Sequence, residues 1–293
     1  MQVTSQENND LENRVKKAIE ATGLPTEIIA TKVLTDYHWH VKNEFPYVDT
    51  ENNRVRTLDI KTETTFLKNK EDTNLKLVWD TPKDAIHCEL YIECKKSKKP
   101  WVFYLDTLTG ADIFFRLDRM IEDMSTNTYN TVLEGLKQSV KDPKIIEDGK
   151  RPISIFTRIP AKFKNLNYKI ALSHQIAFIN STEKDKKADQ AKDEIYSAEM
   201  QIFKAPSYQE QKGKNEHLLY KNNIIIPIIL FDGNMFGCYY DNQELCTPKI
   251  DYTRHLAHGL PDQKVPALID VVTLEYFPKY LASITKELLT FPS

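Results

Sequence analysis

Three residues in two short segments have the types and spacing needed to hold a divalent metal ion. Asp59 lies in the segment LDIKT, and Glu93 and Lys95 lie in the segment LYIECKKS. Two carboxylates are enough for Mg²⁺, which binds few protein ligands and keeps several waters. Such a metal can lower the pKa of a water and polarise a phosphoryl oxygen, and a neighbouring lysine can orient that water. The three residues are therefore suited to phosphodiester hydrolysis.

The Glu93-Cys94-Lys95 triplet is best explained as part of this site. Strand side chains point alternately to the two faces, so Glu93 and Lys95 share one face and Cys94 takes the other. The backbone carbonyl of Cys94 is a further candidate metal ligand. The alternative is an exposed ion pair on an edge strand, which would contribute little to stability, with Asp59 as a solvated strand end. The apolar flanks favour the metal site, because charges within such segments are usually functional or paired.

Alternating apolar residues predict that the candidate residues lie on strands of one sheet. Residues 39–48 and 55–65 should form an antiparallel hairpin with Asp59 in its second arm, and residues 85–95 and 101–105 should be the next two strands. Apolar residues at helical spacing predict helices over residues 11–21, 25–34, 188–203 and 278–289.

The C-terminal half adds an apolar run at residues 224–231, which is typical of a buried strand. The turn residues Asp232-Gly233-Asn234 predict that it forms a hairpin with residues 236–240. Strands and helices together predict an α/β fold with a mixed central sheet and helices on both faces. No Pro/Ser/Gly-rich linker divides the chain, so we expect residues 1–293 to form a single domain.

Composition argues against two common nucleotide-binding folds. The chain has 293 residues but only 8 glycines, and it contains neither a GxGxxG nor a GxxxxGK[ST] segment. Dinucleotide-binding and P-loop folds both need such glycine-rich loops to cradle phosphates. The net charge is −2, so a nucleic acid would have to be contacted by a local basic patch. Lys96, Lys98 and Lys99 offer one beside the triplet, with a solvated turn as the alternative.

Cysteine usage and hydropathy predict a cytoplasmic protein that makes no membrane contact. The four cysteines are scattered, which is typical of a reducing compartment rather than of a disulfide framework. The polar N-terminus has no apolar core of the kind found in signal peptides. No apolar run approaches the roughly 20 residues that a membrane-spanning helix needs.

Residues 11–105 resemble the PD-(D/E)xK nuclease superfamily and are similar to Mrr-type restriction enzymes. The resemblance covers the helix LENRV, the strand that ends in LDIKT, and the segment ELYIECKKSKKPWVF. Leu58 stands where the signature has proline. Residues 106–293 carry no family signature, and we expect them to add further helices and strands of unassigned function.

The resemblance implies a restriction-endonuclease-like fold and a role for each matching residue. Asp59 and Glu93 would bind Mg²⁺, with Mn²⁺ as a substitute, and Lys95 would be the catalytic lysine. Glu12 would be an additional helix acid directed toward the metal. A solvated Glu12 that favours the helix dipole is the alternative explanation.

The implied activity is that of a metal-dependent endonuclease that cuts DNA in defence or repair. Such folds often act as dimers to cut both strands, so we expect a homodimer. Two alternatives remain: a catalytically inactive protein that keeps the nuclease fold for binding or structure, and a nuclease that acts on RNA.

Two weaker patterns involve histidines. Four residues could be arranged as a zinc site: Cys238, Cys246, His255 and His258. Their spacing matches no strong zinc signature, so we predict buried cysteines and surface histidines instead. Ser173-His174 could indicate nucleophilic catalysis, but no nucleophile elbow accompanies the pair.

Overall fold

The computed structural model describes residues 5–49, 52–67, 85–108, 168–176, 194–205, 222–257 and 267–289. These residues adopt a mixed α/β architecture, which confirms the predicted class. The helices are α1 (Ser5–Glu20), α2 (Leu24–Asp36), α3 (194–205) and α4 (Phe277–Leu289). The strands are β1 (His40–Asp49), β2 (Arg54–Leu67), β3 (Ala85–Lys96), β4 (Trp101–Leu108), β5 (Tyr168–Ile176), β6 (Asn222–Asp232), β7 (Met235–Asp241), β8 (Glu244–Cys246), β9 (Lys249–Ile250), β10 (Tyr252–Ala257) and β11 (Ala267–Thr273).

All eleven strands belong to one mixed sheet. Their order is β1-β2-β3-β6-β11-β10-β5-β4-β7-β8, and β9 pairs with β7. β1 and β2 form the predicted antiparallel hairpin, and β3 is antiparallel to β2 but parallel to β6. β3 is therefore a central strand with neighbours on both sides.

Helices cover both faces of the central strands. On one face, α2 and α4 pack against even-numbered residues of β3 such as Leu90 and Ile92. On the other face, α3 packs near Tyr91 of β3 and Ile229 of β6. β6 is buried on both faces, as expected of a strand with parallel neighbours on both sides.

The first turn of α2 contains Pro25, which suits a helix start because proline has no N–H to leave unpaired. Thr26, Ala30 and Leu34 are its buried residues, and their spacing of four places one helical face on the sheet. α2 leads into the β1–β2 hairpin, and its first turn lies near the end of β6, where the Thr26 hydroxyl donates to Oδ2 of Asp232 at 3.4 Å.

The predicted hairpin between residues 224–231 and 236–240 is wrong. β6 pairs with β3 and β11, whereas β7 pairs in parallel with β4. Asp232-Gly233-Asn234 is a bend at which the chain passes from one part of the sheet to another. Asp232-Gly233-Asn234 favours a change of chain direction, but β7 cannot pair with β6 because both edges of β6 are already paired with parallel strands.

Residues 188–193 of the predicted third helix, and His258, lie outside the described residues. Among the helices of the described ranges, none combines the length and the apolar character required to cross a membrane.

Candidate active site

A break between β2 and β3 brings the predicted metal ligands together. The two strands are paired from Leu67 and Ala85 to Ile60 and Ile92, and the register ends there. Asp59 and Glu93 are the next residues on their strands. The two predicted acids therefore stand at the point where the strands separate.

At the break between β2 and β3, the Asp59 carboxylate becomes the hydrogen-bond partner of the Cys94 backbone. The Cys94 N–H donates to Oδ2 of Asp59 at 2.7 Å, so a side-chain carboxylate replaces the carbonyl that a continued ladder would supply. The N–H and C=O of one strand residue point to the same side. The Cys94 carbonyl therefore faces the same gap as the Asp59 carboxylate.

A distortion in the β1–β2 hairpin accompanies this break. Glu44 has φ = 48°, a left-handed conformation that costs a non-glycine residue about 1–3 kcal/mol. It stands across from Asp59, at a gap in the register. Leu58 packs on the α3 side of the sheet and Ile60 on the α2 side, although residues two apart in a regular strand share a face. β2 therefore changes face at Asp59.

Glu93 and Lys95 form a tight ion pair inside the sheet. Nζ of Lys95 donates to Oε1 of Glu93 at 2.7 Å, and the side chains are 25% and 3% exposed. The exposed edge-strand pair considered above does not describe this arrangement. Oε2 of Glu93 is buried and has no hydrogen-bond partner among the described residues. A buried carboxylate oxygen in that state is expected to have a ligand.

Both carboxylates have raised pKa values. Burial, and then the negative charge of Asp59, raises the pKa of Glu93 from 4.5 to about 7, against the lowering effects of Lys95 and of a hydrogen bond from the Asp59 backbone. Burial also raises the pKa of Asp59, although the Cys94 N–H and the Lys95 ammonium both lower it. The single ammonium thus leaves excess negative charge, which a divalent cation would neutralise.

A third acid comes from α2. Burial raises the pKa of Glu27, and the charges of Asp59 and Glu44 raise it further, whereas Lys95 lowers it. A Cβ added to Gly23 would lie 3.8 Å from Oε1 of Glu27 and 4.0 Å from the Cys94 carbonyl oxygen. The Glu27 carboxylate and that carbonyl oxygen therefore both lie next to Gly23.

Glu12 is the helix acid expected from the sequence. It is exposed on α1, whose whole described surface is solvent-accessible. The apolar stripe of α1 is also exposed: Leu11 57%, Val15 49% and Ile19 40%. The helix acid that faces Asp59 is Glu27 instead.

The sequence contained one signal that could have identified Glu27. Pro25 marks the start of the last helix before the β1–β2 hairpin, and Glu27 is in its first turn. A helix that leads directly into the hairpin is expected to pack on the sheet, which makes the acid in its first turn a candidate for the site.

The three predicted phosphate-binding lysines differ in their surroundings. Lys96 forms an ion pair with Asp232 at 3.1 Å. Lys98 is exposed, and the backbone N–H of Lys99 donates to the Ser97 hydroxyl at 3.1 Å. All three therefore lie at or just beyond the end of β3, and Lys96 and Lys98 are both exposed.

The prediction that His255 is a surface residue is wrong, because His255 is only 3% exposed. Cys238 is buried, as predicted, whereas Cys246 is only partly buried. The spacing between His255 and the two cysteines gives no hint of this burial, because the residues that cover His255 come from distant parts of the chain.

No protein-family model matches the chain, and neither does any curated protein or solved structure. The functional assignment therefore depends on the geometry and chemistry of the site. Its donors are carboxylate and carbonyl oxygens, which suit hard cations such as Mg²⁺ and Mn²⁺. The unpartnered oxygen of Glu93 fits a bound cation of this kind.

Proposed function

We propose that the chain is a metal-dependent nuclease with a restriction-endonuclease-like fold that hydrolyses phosphodiester bonds in DNA. One observation carries the proposal. A buried Glu93 oxygen without a hydrogen-bond partner stands beside the Asp59 carboxylate at a strand break, and Lys95 lies 2.7 Å from the other Glu93 oxygen. The mixed sheet with helices on both faces supports the proposed fold.

Four oxygen donors would hold Mg²⁺, or Mn²⁺ in its place. They come from the carboxylates of Asp59, Glu93 and Glu27 and from the backbone carbonyl of Cys94. Glu27 takes the role that the sequence suggested for Glu12. When bound, the metal polarises the phosphoryl oxygen and lowers the pKa of a water.

Lys95 supplies the positive charge that reaches the substrate. Its side chain is anchored on Glu93 but remains 25% exposed, so the ammonium has access to both the buried acids and the solvent. From there it can orient the attacking water and stabilise negative charge that develops on the phosphoryl group. Lys96, Lys98 and Lys99 would contact flanking phosphates, which positions a DNA strand without selecting its sequence.

Plasmid cleavage tests this function directly. We expect the wild type to cut supercoiled DNA with Mg²⁺ or Mn²⁺, and we expect Asp59→Asn and Lys95→Ala to lower the rate by about 10²–10³-fold. Lys42→Ala is a matched control, because Lys42 also pairs with a glutamate on the sheet, at 3.1 Å, but lies outside the site.

The outcome also separates the alternatives. A wild type that is inert with both metals would leave only a binding or structural role for the fold, and variants that cut as fast as the wild type would remove Asp59 and Lys95 from the mechanism. Cleavage of a labelled RNA in preference to plasmid would assign the activity to RNA. Sedimentation of the intact chain tests the expected homodimer.

A further inference from the structure

Three side chains from separate elements converge at a second place in the sheet. They are His174 of β5, Glu199 of α3 and His255 of β10. Nδ1 of His174 lies 3.1 Å from Nε2 of His255, and Oε1 of Glu199 lies 3.5 Å and 3.0 Å from those two nitrogens. Three potential metal-ligand atoms thus form a small, nearly equilateral triangle.

The cluster is buried and its central histidine is oriented by the backbone. Glu199 and His255 are each 3% exposed. The second ring nitrogen of His255, Nδ1, lies 3.0 Å from the Ala171 carbonyl oxygen. Donation from Nδ1 to that carbonyl leaves Nε2 with a lone pair that points into the triangle. Metal-binding histidines are commonly held by such a hydrogen bond on the other nitrogen.

Oε1 of Glu199 is the atom that most clearly needs a cation. It is buried, and it has no hydrogen-bond partner among the described residues. Among the described residues, no lysine or arginine forms an ion pair with the Glu199 carboxylate. A buried carboxylate oxygen that faces two imidazole nitrogens is costly unless positive charge lies between them.

A second cluster of similar composition shows the contrast. Glu63, His87 and Glu89 also bring three ligand atoms within 4.8 Å of one another. There, however, Nζ of Lys61 lies 3.3 Å from Glu89 and 3.7 Å from Glu63, so a protein ammonium already supplies the positive charge. The Glu199 cluster has no such ammonium among the described residues.

The triangle has the size of a zinc site. Ligands at about 2.0–2.2 Å from a tetrahedral Zn²⁺ are about 3.3–3.6 Å apart, and the observed distances are 3.0–3.5 Å. We propose that His174, Glu199 and His255 bind Zn²⁺ as a His₂Glu set and that a water or a small anion completes the tetrahedron. The site is separate from the oxygen-rich site at Asp59 and does not depend on the proposed nuclease function.

Zinc at this position would connect three elements that are distant in sequence. The ligands tie α3 to the strands β5 and β10 on the α3 side of the sheet. His174 is the most accessible ligand, with 16% of its side chain exposed. Solvent and metal would therefore reach the site from the His174 side.

Metal titration of the full chain tests the proposal, with Asp59→Asn used throughout so that the nuclease site does not contribute. After treatment with a chelator, we expect the chain to bind one equivalent of Zn²⁺ and to show a higher melting temperature with zinc. Co²⁺ in the same position should give the intense visible absorption of tetrahedral coordination. A chain that binds no Zn²⁺ and gives only a weak octahedral Co²⁺ spectrum would overturn the proposal, whatever its nuclease activity.

Ligand variants assign the site. Glu199→Gln and His174→Ala should each weaken Zn²⁺ binding at least 100-fold and abolish the tetrahedral Co²⁺ spectrum. His87→Ala removes a histidine from the contrasting cluster and should leave both signals unchanged. Circular dichroism confirms that each variant is folded, and the titration of the parent chain remains decisive if one is not. Equal zinc affinity in all three folded variants would place the metal elsewhere.

Discussion

The position of Glu93 makes its ionised carboxylate energetically costly, because the side chain is buried. Glu93 is 2% exposed on a central strand, and its ion pair with Lys95 satisfies only one of its oxygens. Replacing both partners of a buried ion pair by apolar residues is often neutral or stabilising, because removing the charges from water costs about as much as their attraction contributes. In the proposed nuclease, the cation that Glu93 would bind offsets this cost.

Removing this charge should stabilise the metal-free fold at alkaline pH. The folded pKa of Glu93, about 7, lies above its ordinary value of 4.5, so the unfolded state loses its proton first and stability falls as pH rises between these values. Glu93→Gln cannot ionise. We expect it to exceed the wild type by about 1–3 kcal/mol at pH 8, and the difference should largely disappear at pH 4.

Urea denaturation at the two pH values, with a chelator present, measures this effect. Glu12→Gln is the control, because it neutralises an exposed glutamate on α1 and should not change the pH profile. A Glu93→Gln variant that is less stable than the wild type at pH 8 would contradict the conclusion that the buried charge destabilises the fold.

The two N-terminal helices differ in what they contribute. α2 buries one face on the sheet, and its Glu27 carboxylate lies next to Gly23, as does the Cys94 carbonyl oxygen. α1 precedes it and exposes both its apolar stripe and Glu12. A helix can therefore have the right spacing for packing without being the helix that packs on the site.

This difference predicts opposite results for two similar substitutions. Glu27→Ala should lower the rate of plasmid cleavage by about 10–100-fold, since it removes an oxygen beside the metal ligands. Glu12→Ala should leave the rate unchanged. Initial rates at saturating Mg²⁺ and at limiting Mg²⁺ would compare the two, with the Glu27 deficit largest at limiting metal. A large loss in Glu12→Ala alone would restore the assignment made from the sequence.

Local patterns in the sequence were sufficient for the strands and for the central triplet. Alternation located β1 to β4, and the placement of Asp59 in the second arm of the hairpin follows from it. Helical spacing favoured Glu12, but spacing does not report whether a helix packs on anything. The turn at Gly233 and the burial of His255 depend on partners from distant parts of the chain, which one sequence does not reveal.

The central strands and their continuations bend together in the middle of the sheet. β3 continues into β4 and β6 continues into β7, while β3 is parallel to β6 and β4 is parallel to β7. The Ser97 N–H donates to the Asp232 carbonyl at 3.3 Å and the Trp101 N–H to the Asn234 carbonyl at 3.0 Å, so the two bends are joined. A Cβ on Gly233 would lie 2.6 Å from the Ser97 carbonyl oxygen, which explains the glycine at this point.

Trp101 should be the principal side chain that stabilises this junction. It is fully buried, and its ring stacks on Phe231 with centroids 3.9 Å apart. We expect Trp101→Ala to lower the free energy of unfolding by about 3–5 kcal/mol, the usual cost of removing a large buried aromatic side chain. Chemical denaturation followed by circular dichroism measures this change.

The control for that experiment is Tyr240→Ala, in which an aromatic residue that is 75% exposed is removed from β7. Its effect on the unfolding midpoint should be small. If Trp101→Ala and Tyr240→Ala were equally mild, the stacked pair at the bend would not be what holds the two halves of the sheet together.

The hydrogen bond from the Cys94 backbone N–H to the Asp59 carboxylate offers a way to monitor the site by NMR. At that residue, a backbone amide of the central strand is bonded to an ionisable side chain instead of to a neighbouring carbonyl. The nitrogen and proton resonances of Cys94 are therefore a built-in spectroscopic reporter of the Asp59 carboxylate. Protonation and metal occupancy could then be followed at a single amide peak, without any substrate and without any change to the sequence.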